Sequence, residues 1–331
     1  MTSWRFHGPL LRSVSRSFYL SIRILPARLR EPVALAYLLA RTTDTVADTA
    51  RISGTLRKVT LRTLSKAIQG KPPGGSIVEL VASFAPLQEN SAERALLESL
   101  PRCLERLEQL SPPDRDDVRA VLEEITRGQT LDLERFENPA EVHALTTAAD
   151  LDEYTYLVAG CVGEFWTRLC FRHLAKFASL DEKEMLDLGK RYGMALQLIN
   201  ILRDAGSDLR AGRCYFPKDE LAAAHMDPAQ IVREPDRFRP IYKKWAEEAE
   251  RGLAAGMQYS RVIRNRRVRA ATVLPALIGA RTLALLREAG STALHRKLKV
   301  SRREVRRIIA RLALTLADRE STSRMYARLI R

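Results

Sequence analysis

Apolar positions recur at three- and four-residue intervals along most of the chain, and strand-like alternation is nearly absent. Pro32 fits the first turn of a helix running through Val33, Ala36, Tyr37, Ala40 and Arg41 to about Asp48. The Gly-, Pro- and Ser-rich stretch 70–76 is a break. A helix is predicted over 91–109, and another from Ser111-Pro-Pro-Asp114 to about Arg127. A broken region near 132–150 precedes a long apolar stretch over 151–177. Ser179 with Glu182 has the spacing of a capping box for a helix over 180–205. Residues 212–217 break it, and further helices fit 219–224, 236–265, 269–289 and 301–329. There is no solenoid repeat and no low-complexity tract. The simplest expectation is one large all-α domain over 1–331, with a basic helical region at 251–331.

Two polar patterns interrupt these apolar helices. The first is Tyr37-x3-Arg41-x2-Asp44-x3-Asp48, and the second is Gln197-x2-Asn200-x3-Asp204-x3-Asp208. Spacings of three and four put each set on one helical stripe. Alone, either pattern reads as a salt-bridged surface face. Two matched stripes, each inside an apolar helix, point instead to an internal polar cavity, because unpaired buried polar groups are costly. Two Asp at i and i+4 repel by about 3 kcal/mol at ~6 Å and an effective dielectric of ~20. Arg41 and Arg203 compensate in part. Mg²⁺ would do it better, taking oxygen ligands while keeping water and substrate phosphate in its shell.

Composition narrows the class. The chain has 331 residues, of which 46% are apolar and 29% charged, a globular balance. Its formal charge of +15 is concentrated. Residues 251–331 carry 20 Lys and Arg against 4 acidic groups, and the remainder is close to neutral. Such a face suits a phosphorylated small molecule, an anionic membrane or nucleic acid. Cys103, Cys161, Cys170 and Cys214 lack CxxC spacing and read as buried free thiols of a reducing cytosol. The five histidines are far apart and read as structural or surface groups. Neither a signal-peptide core nor an uncharged apolar window of about 19 residues is present, so no transmembrane helix is expected. Glycine-rich phosphate cradles are also absent.

The two stripes resemble the aspartate motifs of the squalene/phytoene synthase family, which joins isoprenoid diphosphates head to head. Val14-Ser15-Arg16-Ser17-Phe18 is similar to its N-terminal substrate motif, and residues 37–48 to its first aspartate motif. Tyr154-Thr-Tyr-Leu-Val-Ala-Gly-Cys-Val-Gly163 resembles its Tyr…Val-Ala-Gly-x-Val-Gly helix, and residues 197–217 resemble its second aspartate motif. One departure is Ser207, where many members carry an acidic residue. The resemblance implies the all-α isoprenoid synthase fold around a central cavity. It implies Mg²⁺, with Mn²⁺ as a substitute, held by Asp44, Asp48, Asp204 and Asp208. It places Ser15, Arg16, Ser17, Tyr37, Arg41, Gln197, Asn200, Arg203 and Arg213 near substrate or its diphosphate. Tyr154 would assist proton transfer or stabilise a carbocation, and Tyr37 and Arg41 would act beside it. Tyr37, Tyr154, Tyr156, Phe165 and Trp166 are candidates for the cavity wall, with ordinary core packing as the alternative for each.

The implied reaction is condensation of two farnesyl diphosphates through presqualene diphosphate to squalene, with NADPH as reductant. Phytoene synthase, dehydrosqualene synthase and presqualene diphosphate synthase are the alternatives within the family, and hopanoid, sterol or carotenoid synthesis the pathways served. The segment from Tyr259 to Asn265, followed by Pro275, resembles a block of squalene synthases in spacing, and Arg296-Lys-Leu-Lys-Val-Ser-Arg-Arg303 resembles their basic segment near the nicotinamide cofactor. Tyr259, Asn265, Lys297 and Lys299 are therefore cofactor-binding candidates. Val305, Ile308, Ile309, Leu312 and Leu316 form an apolar stripe flanked by Arg302, Arg303, Arg306 and Arg307. It reads either as packing on the body or as a peripheral membrane contact. The expected setting is the cytoplasm or its membrane surface, with no nucleic-acid partner. The rival from another class is a non-catalytic basic helical protein binding membrane or nucleic acid, supported by Arg261-Val-Ile-Arg-Asn-Arg-Arg-Val-Arg269.

Overall fold

A computed structural model describes residues 3–15, 18–49, 51–72, 74–138 and 140–331. Among them, helices dominate, as the periodicity predicts. Contacts divide the chain into two compact units, Met1–Glu134 with Arg168–Ala175, and Arg135–Thr167 with Lys176–Arg331.

In the first unit the central element is the helix Ala27–Asp48. It begins after Pro26, so Pro32 lies in its second turn rather than at its start. Pro32 removes one backbone bond and is itself buried in the packed face. Leu35, Leu38 and Leu39 are fully buried where this helix meets Gly54–Ile68, Ser91–Glu98 and Leu100–Glu108. The last two replace the single helix predicted over 91–109. Ser99 separates them, and Pro101 occupies the first turn of the second. The next helix extends past its predicted end, over Pro112–Arg135. Near its start, buried Asp114 accepts bonds from Ser111 Oγ (2.8 Å) and Arg172 (3.0 Å) and pairs with His173 Nε2 at 2.8 Å. His173 is thus structural, as expected.

The second unit is built on the helices Glu182–Arg210, Pro235–Val262 and Arg266–Ala289. The first is capped by Asp181 and Glu184, not by Ser179 and Glu182. Ser179 is taken instead by a backbone bond to Val262, beside a bridge between Ala178 and Ile263. The stretch read as a break at 212–217 contains a strand, β2 (Arg213–Pro217), paired parallel with β1 (His143–Leu145). The apolar stretch 151–177 contains Ala148–Thr155, a single π turn at Tyr156–Gly160, and Cys161–His173. The helix predicted over 301–329 is two, Arg302–Leu314 and Arg319–Leu329. Ile308 and Leu312 of the former are buried with Val273, Leu274 and Leu277, so packing accounts for the middle of that apolar stripe, while Leu316 at its end is exposed.

Glycines let these helices meet at backbone distance. A methyl group at Gly163 would lie 2.0 Å from the Gly189 carbonyl oxygen, and one at Gly193 would lie 2.1 Å from that of Ala159. Across another face, a methyl at Gly256 would strike the Tyr192 ring at 2.3 Å. Arg266–Leu294 is long and apolar enough to cross a membrane by length and composition, which the sequence reading did not anticipate, but 72% of its apolar window is buried, as in a core helix. All four cysteines are buried and free, as predicted.

Replacing Gly163 by Ala is expected to force the Gly163–Gly189 contact apart and destabilise the fold by about 1–3 kcal/mol. Chemical denaturation followed by circular dichroism measures this, and an unchanged midpoint would contradict the contact.

Candidate active site

The helix Ala27–Asp48 carries Tyr37, Arg41, Asp44 and Asp48 along one stripe. Its threonines leave that stripe alone. Thr42, Thr45 and Thr49 turn their hydroxyls back to carbonyls four residues earlier, and Thr43 to Ala40, so they are satisfied within the helix. Arg41 donates to Glu93 at 2.7 Å and lies 3.8 Å from Asp44. Asp44 accepts a hydrogen bond from the Gln129 amide. Crowding by surrounding atoms and the like charge of Asp48 push its carboxyl up to about 6, against Arg41 and Gln129. Because 46% of the Asp44 side chain is open to solvent, screening softens that shift without changing its direction. Asp48 is exposed at the end of the helix. Burial raises the half-buried Tyr37 phenol, opposed by Ser15 and Arg41. Ser15 is itself buried, 4% exposed. Arg16 and Ser17 lie outside the described residues.

The second stripe is in the other unit and has a different character. Asn200 donates to Gln197 at 3.2 Å, one turn before the carboxylates. Asp204 is gripped by the neighbouring Arg203, and Lys297 Nζ lies 3.2 Å from its Oδ1. Burial raises the Asp204 carboxyl, but Arg203 and Lys297 outweigh it and hold it below the ordinary carboxylate range. Asp208 receives Arg213 at 2.9 Å. Burial, with Asp204 adding to it, leaves Asp208 raised despite Arg213 and Lys297.

Gly206 explains how Lys297 arrives. It has no side chain, and a methyl there would lie 1.8 Å from the Leu294 carbonyl oxygen. Arg210 donates to the same carbonyl at 3.3 Å. The backbone at 294 is therefore laid directly on the helix that carries the second stripe, three residues before Lys297.

Tyr154 stacks on Tyr215 with ring centroids 4.9 Å apart and hydroxyls 3.5 Å apart. Phe136 packs edge-on against Tyr215. Tyr156 donates to Glu164 at 3.4 Å, and Phe165 is buried. The Trp166 Nε1 is buried, with no partner seen among the described residues. These aromatics flank the π turn, a deformation common at functional sites.

Two cofactor candidates are placed elsewhere by the structure. Tyr259 is 1% exposed, its hydroxyl 2.9 Å from Thr167 Oγ1 and its ring against Phe177. It offers packing, not a surface for a cofactor. Asn265 caps the helix Arg266–Ala289, accepting from the amides of Arg267 and Val268. Its side-chain oxygen is committed to that cap. Lys297 and Lys299 are exposed on one segment. Sequence reasoning missed Glu93, Gln129 and Tyr215. Tyr215 had a signal, an aromatic directly after the second stripe. The other two come from helices with no motif of their own.

The oxygen donors suit a hard divalent cation. The mutual repulsion felt at Asp44 is what such an ion relieves. Among the described residues no three acidic, His or Cys side chains converge to hold a metal by themselves.

A family model described as squalene/phytoene synthase matches residues 11–304. The squalene synthase of Saccharomyces cerevisiae is 32% identical over 210 residues, 63% of this chain and 44% of its own. A bifunctional lycopene cyclase/phytoene synthase of Arthroderma gypseum is 27% identical over 245 residues, 73% of this chain and 39% of its own. The match thus spans less than half the length of these curated relatives. The solved structure of TcSQS with the ligand E5700 superposes with a TM-score of 0.75 at 21% identity, covering 99% of this chain and 97% of that one. A dehydrosqualene synthase gives 0.65 at 21% identity over 95% and 96%. The fold is that of these isoprenoid synthases, and with the family match spanning most of its length, the chain belongs to the squalene/phytoene synthase family.

Proposed function

We propose that the protein condenses two farnesyl diphosphates head to head, through presqualene diphosphate, and reduces the product to squalene with NADPH. The observation that carries this reading is the pair of aspartate stripes, one short of positive charge at Asp44 and one ringed by Arg203, Lys297 and Arg213. A departing diphosphate calls for both chemistries, carboxylates that take a divalent ion and cations that take phosphate oxygens. Asp44, Asp48, Asp204 and Asp208 would hold Mg²⁺, or Mn²⁺ in its place. When bound, the metal supplies charge stabilisation to the leaving diphosphate.

The chain's own groups do the rest. Arg41, Arg203 and Arg213 draw on the diphosphate oxygens, while Gln197 and Asn200 orient it. Loss of diphosphate leaves an allylic cation, and the double bond of the second substrate attacks it. Proton loss then closes the cyclopropane. The Tyr154 face is suited to the cation, and its hydroxyl, beside that of Tyr215, is suited to receive or pass the proton. After a second loss of diphosphate, bound NADPH would supply the hydride that reduces the product to squalene. Lys297 and Lys299 suit the phosphates of that cofactor. The reaction is placed in the cytoplasm or at its membrane surface. The second reading is phytoene or dehydrosqualene synthesis, which ends in proton loss instead of reduction. The phytoene synthase relative and the dehydrosqualene synthase neighbour favour it.

Incubation with farnesyl diphosphate and Mg²⁺, with and without NADPH, separates these outcomes. Squalene formed only with NADPH supports the proposal, and dehydrosqualene in both reactions overturns the reduction step. A C40 product from geranylgeranyl diphosphate identifies the phytoene reaction, and no condensation from either substrate removes the enzyme reading. Asp44→Asn and Asp204→Asn are each expected to slow diphosphate release by about 10²–10³-fold, with unchanged circular dichroism. Retained turnover in either would remove that residue from the metal set. Metal binding needs the ionised carboxylate, and the folded Asp44 protonates at higher pH than an ordinary Asp. The Mg²⁺ concentration for half-maximal rate is therefore expected to rise as pH falls from about 6 towards 4. A requirement that stays flat over that range would contradict the raised Asp44.

A further inference from the structure

The turn between the helices Arg302–Leu314 and Arg319–Leu329 has features that neither the fold nor the proposed chemistry uses. Leu314 is 84% exposed and Leu316 is 60% exposed. Leu316 has φ +50° and Ala317 has φ +50°, the left-handed region. Leu316 follows the helix's C-cap residue, Thr315, in the position where helices commonly place Gly to avoid the Cβ penalty. Here a large apolar side chain occupies that strained position and points its surface at water. Ala317 is buried and its carbonyl accepts from Arg269 at 3.0 Å, so the turn is pinned from below. Arg269 is itself 5% exposed and spends its remaining donors on the carbonyls of Ile263 and Arg264. The strain is held by a buried scaffold and the leucines are held out.

The outer face of Arg302–Leu314 completes the picture. Ile308 and Leu312 face the core. Arg303, Arg307 and Arg311, spaced by four, are exposed and share a stripe with Leu314 on the opposite side. Of the nearby acids, Glu304 is bound to Arg281. Asp318 caps the next helix through Ser321, and Glu320 follows in its first turn. Residues 302–331 carry nine Arg against these three acids.

We propose that this tip docks on an anionic lipid surface, with Arg303, Arg307 and Arg311 on the headgroup phosphates and Leu314 and Leu316 in the acyl boundary. Charge alone would suit any polyanion. The exposed leucines decide for lipid, since a nucleic-acid backbone gives them nothing to bury against. The basic stripe supplies attraction that salt screens, and the leucines supply area that salt does not screen.

The test is sedimentation of the full chain with vesicles of phosphatidylcholine alone and of phosphatidylcholine mixed with phosphatidylglycerol, beside binding to duplex DNA. Binding is expected to the mixed vesicles and not to phosphatidylcholine alone. Combining Leu314→Ser with Leu316→Asn should weaken vesicle binding about tenfold and leave DNA binding unchanged. Asn tolerates positive φ, so this variant should unfold no more easily than the parent, which thermal denaturation checks. The triple change Arg303→Gln, Arg307→Gln and Arg311→Gln should weaken it about a hundredfold. No sedimentation with the mixed vesicles overturns the proposal. So does vesicle binding that ignores the leucine changes, which would make the patch a general polyanion surface.

Discussion

Backbone proximity around the helix Glu182–Arg210 is the constraint on which the second unit depends. Gly189 and Gly193 admit the Ala159–Gly163 segment, Gly252 and Gly256 of Pro235–Val262 close on Ala195 and Tyr192, and Gly206 admits Leu294. Each contact trades side-chain volume for proximity and leaves no room for a methyl group. The helix that carries Gln197, Asn200, Asp204 and Asp208 is therefore fixed from several directions before any ligand enters. Preorganisation of that kind lets polar groups act without reorganising at the moment of reaction.

Charge compensation follows from that geometry. Arg203 is next to Asp204 in sequence, and Arg213 reaches Asp208 across the turn into β2. Lys297 comes from more than ninety residues away, delivered by the backbone lodged on Gly206. On the Ala27–Asp48 helix the balance runs the other way. Arg41 is shared with Glu93, so Asp44 and Asp48 keep part of their repulsion. Within one family fold, two similar sequence patterns thus acquire different surroundings: cations hold the Asp204 carboxyl low, while burial keeps those of Asp44 and Asp208 raised.

What was legible in the chain was what helical geometry alone determines. The all-α class and the two aspartate stripes follow from local spacing, and so does the break at 70–76. What was hidden depends on partners distant in sequence. Nothing near Gln129 announces that its amide reaches Asp44. Tyr259 and Asn265 were placed by resemblance of spacing, and packing and capping claim them instead. The strand β2 looked like a break because its partner β1 is three residues long and lies in an equally irregular stretch. The break at residues 315–318 has neither Gly nor Pro to mark it, because the left-handed residues there are Leu and Ala.

The buried cysteines have a practical consequence. Burial pushes the Cys103 and Cys214 thiols up to about 12 and Cys170 higher still, and Cys161 gives its thiol to the Leu157 carbonyl. Thiolate, the reactive form, is scarce at Cys103, Cys170 and Cys214, and burial keeps reagents from Cys161. The native protein is consequently a silent background for thiol chemistry. A single cysteine introduced on an exposed position would be the one fast-reacting site, so spin labels or fluorophores could be attached without first stripping the native thiols from the core.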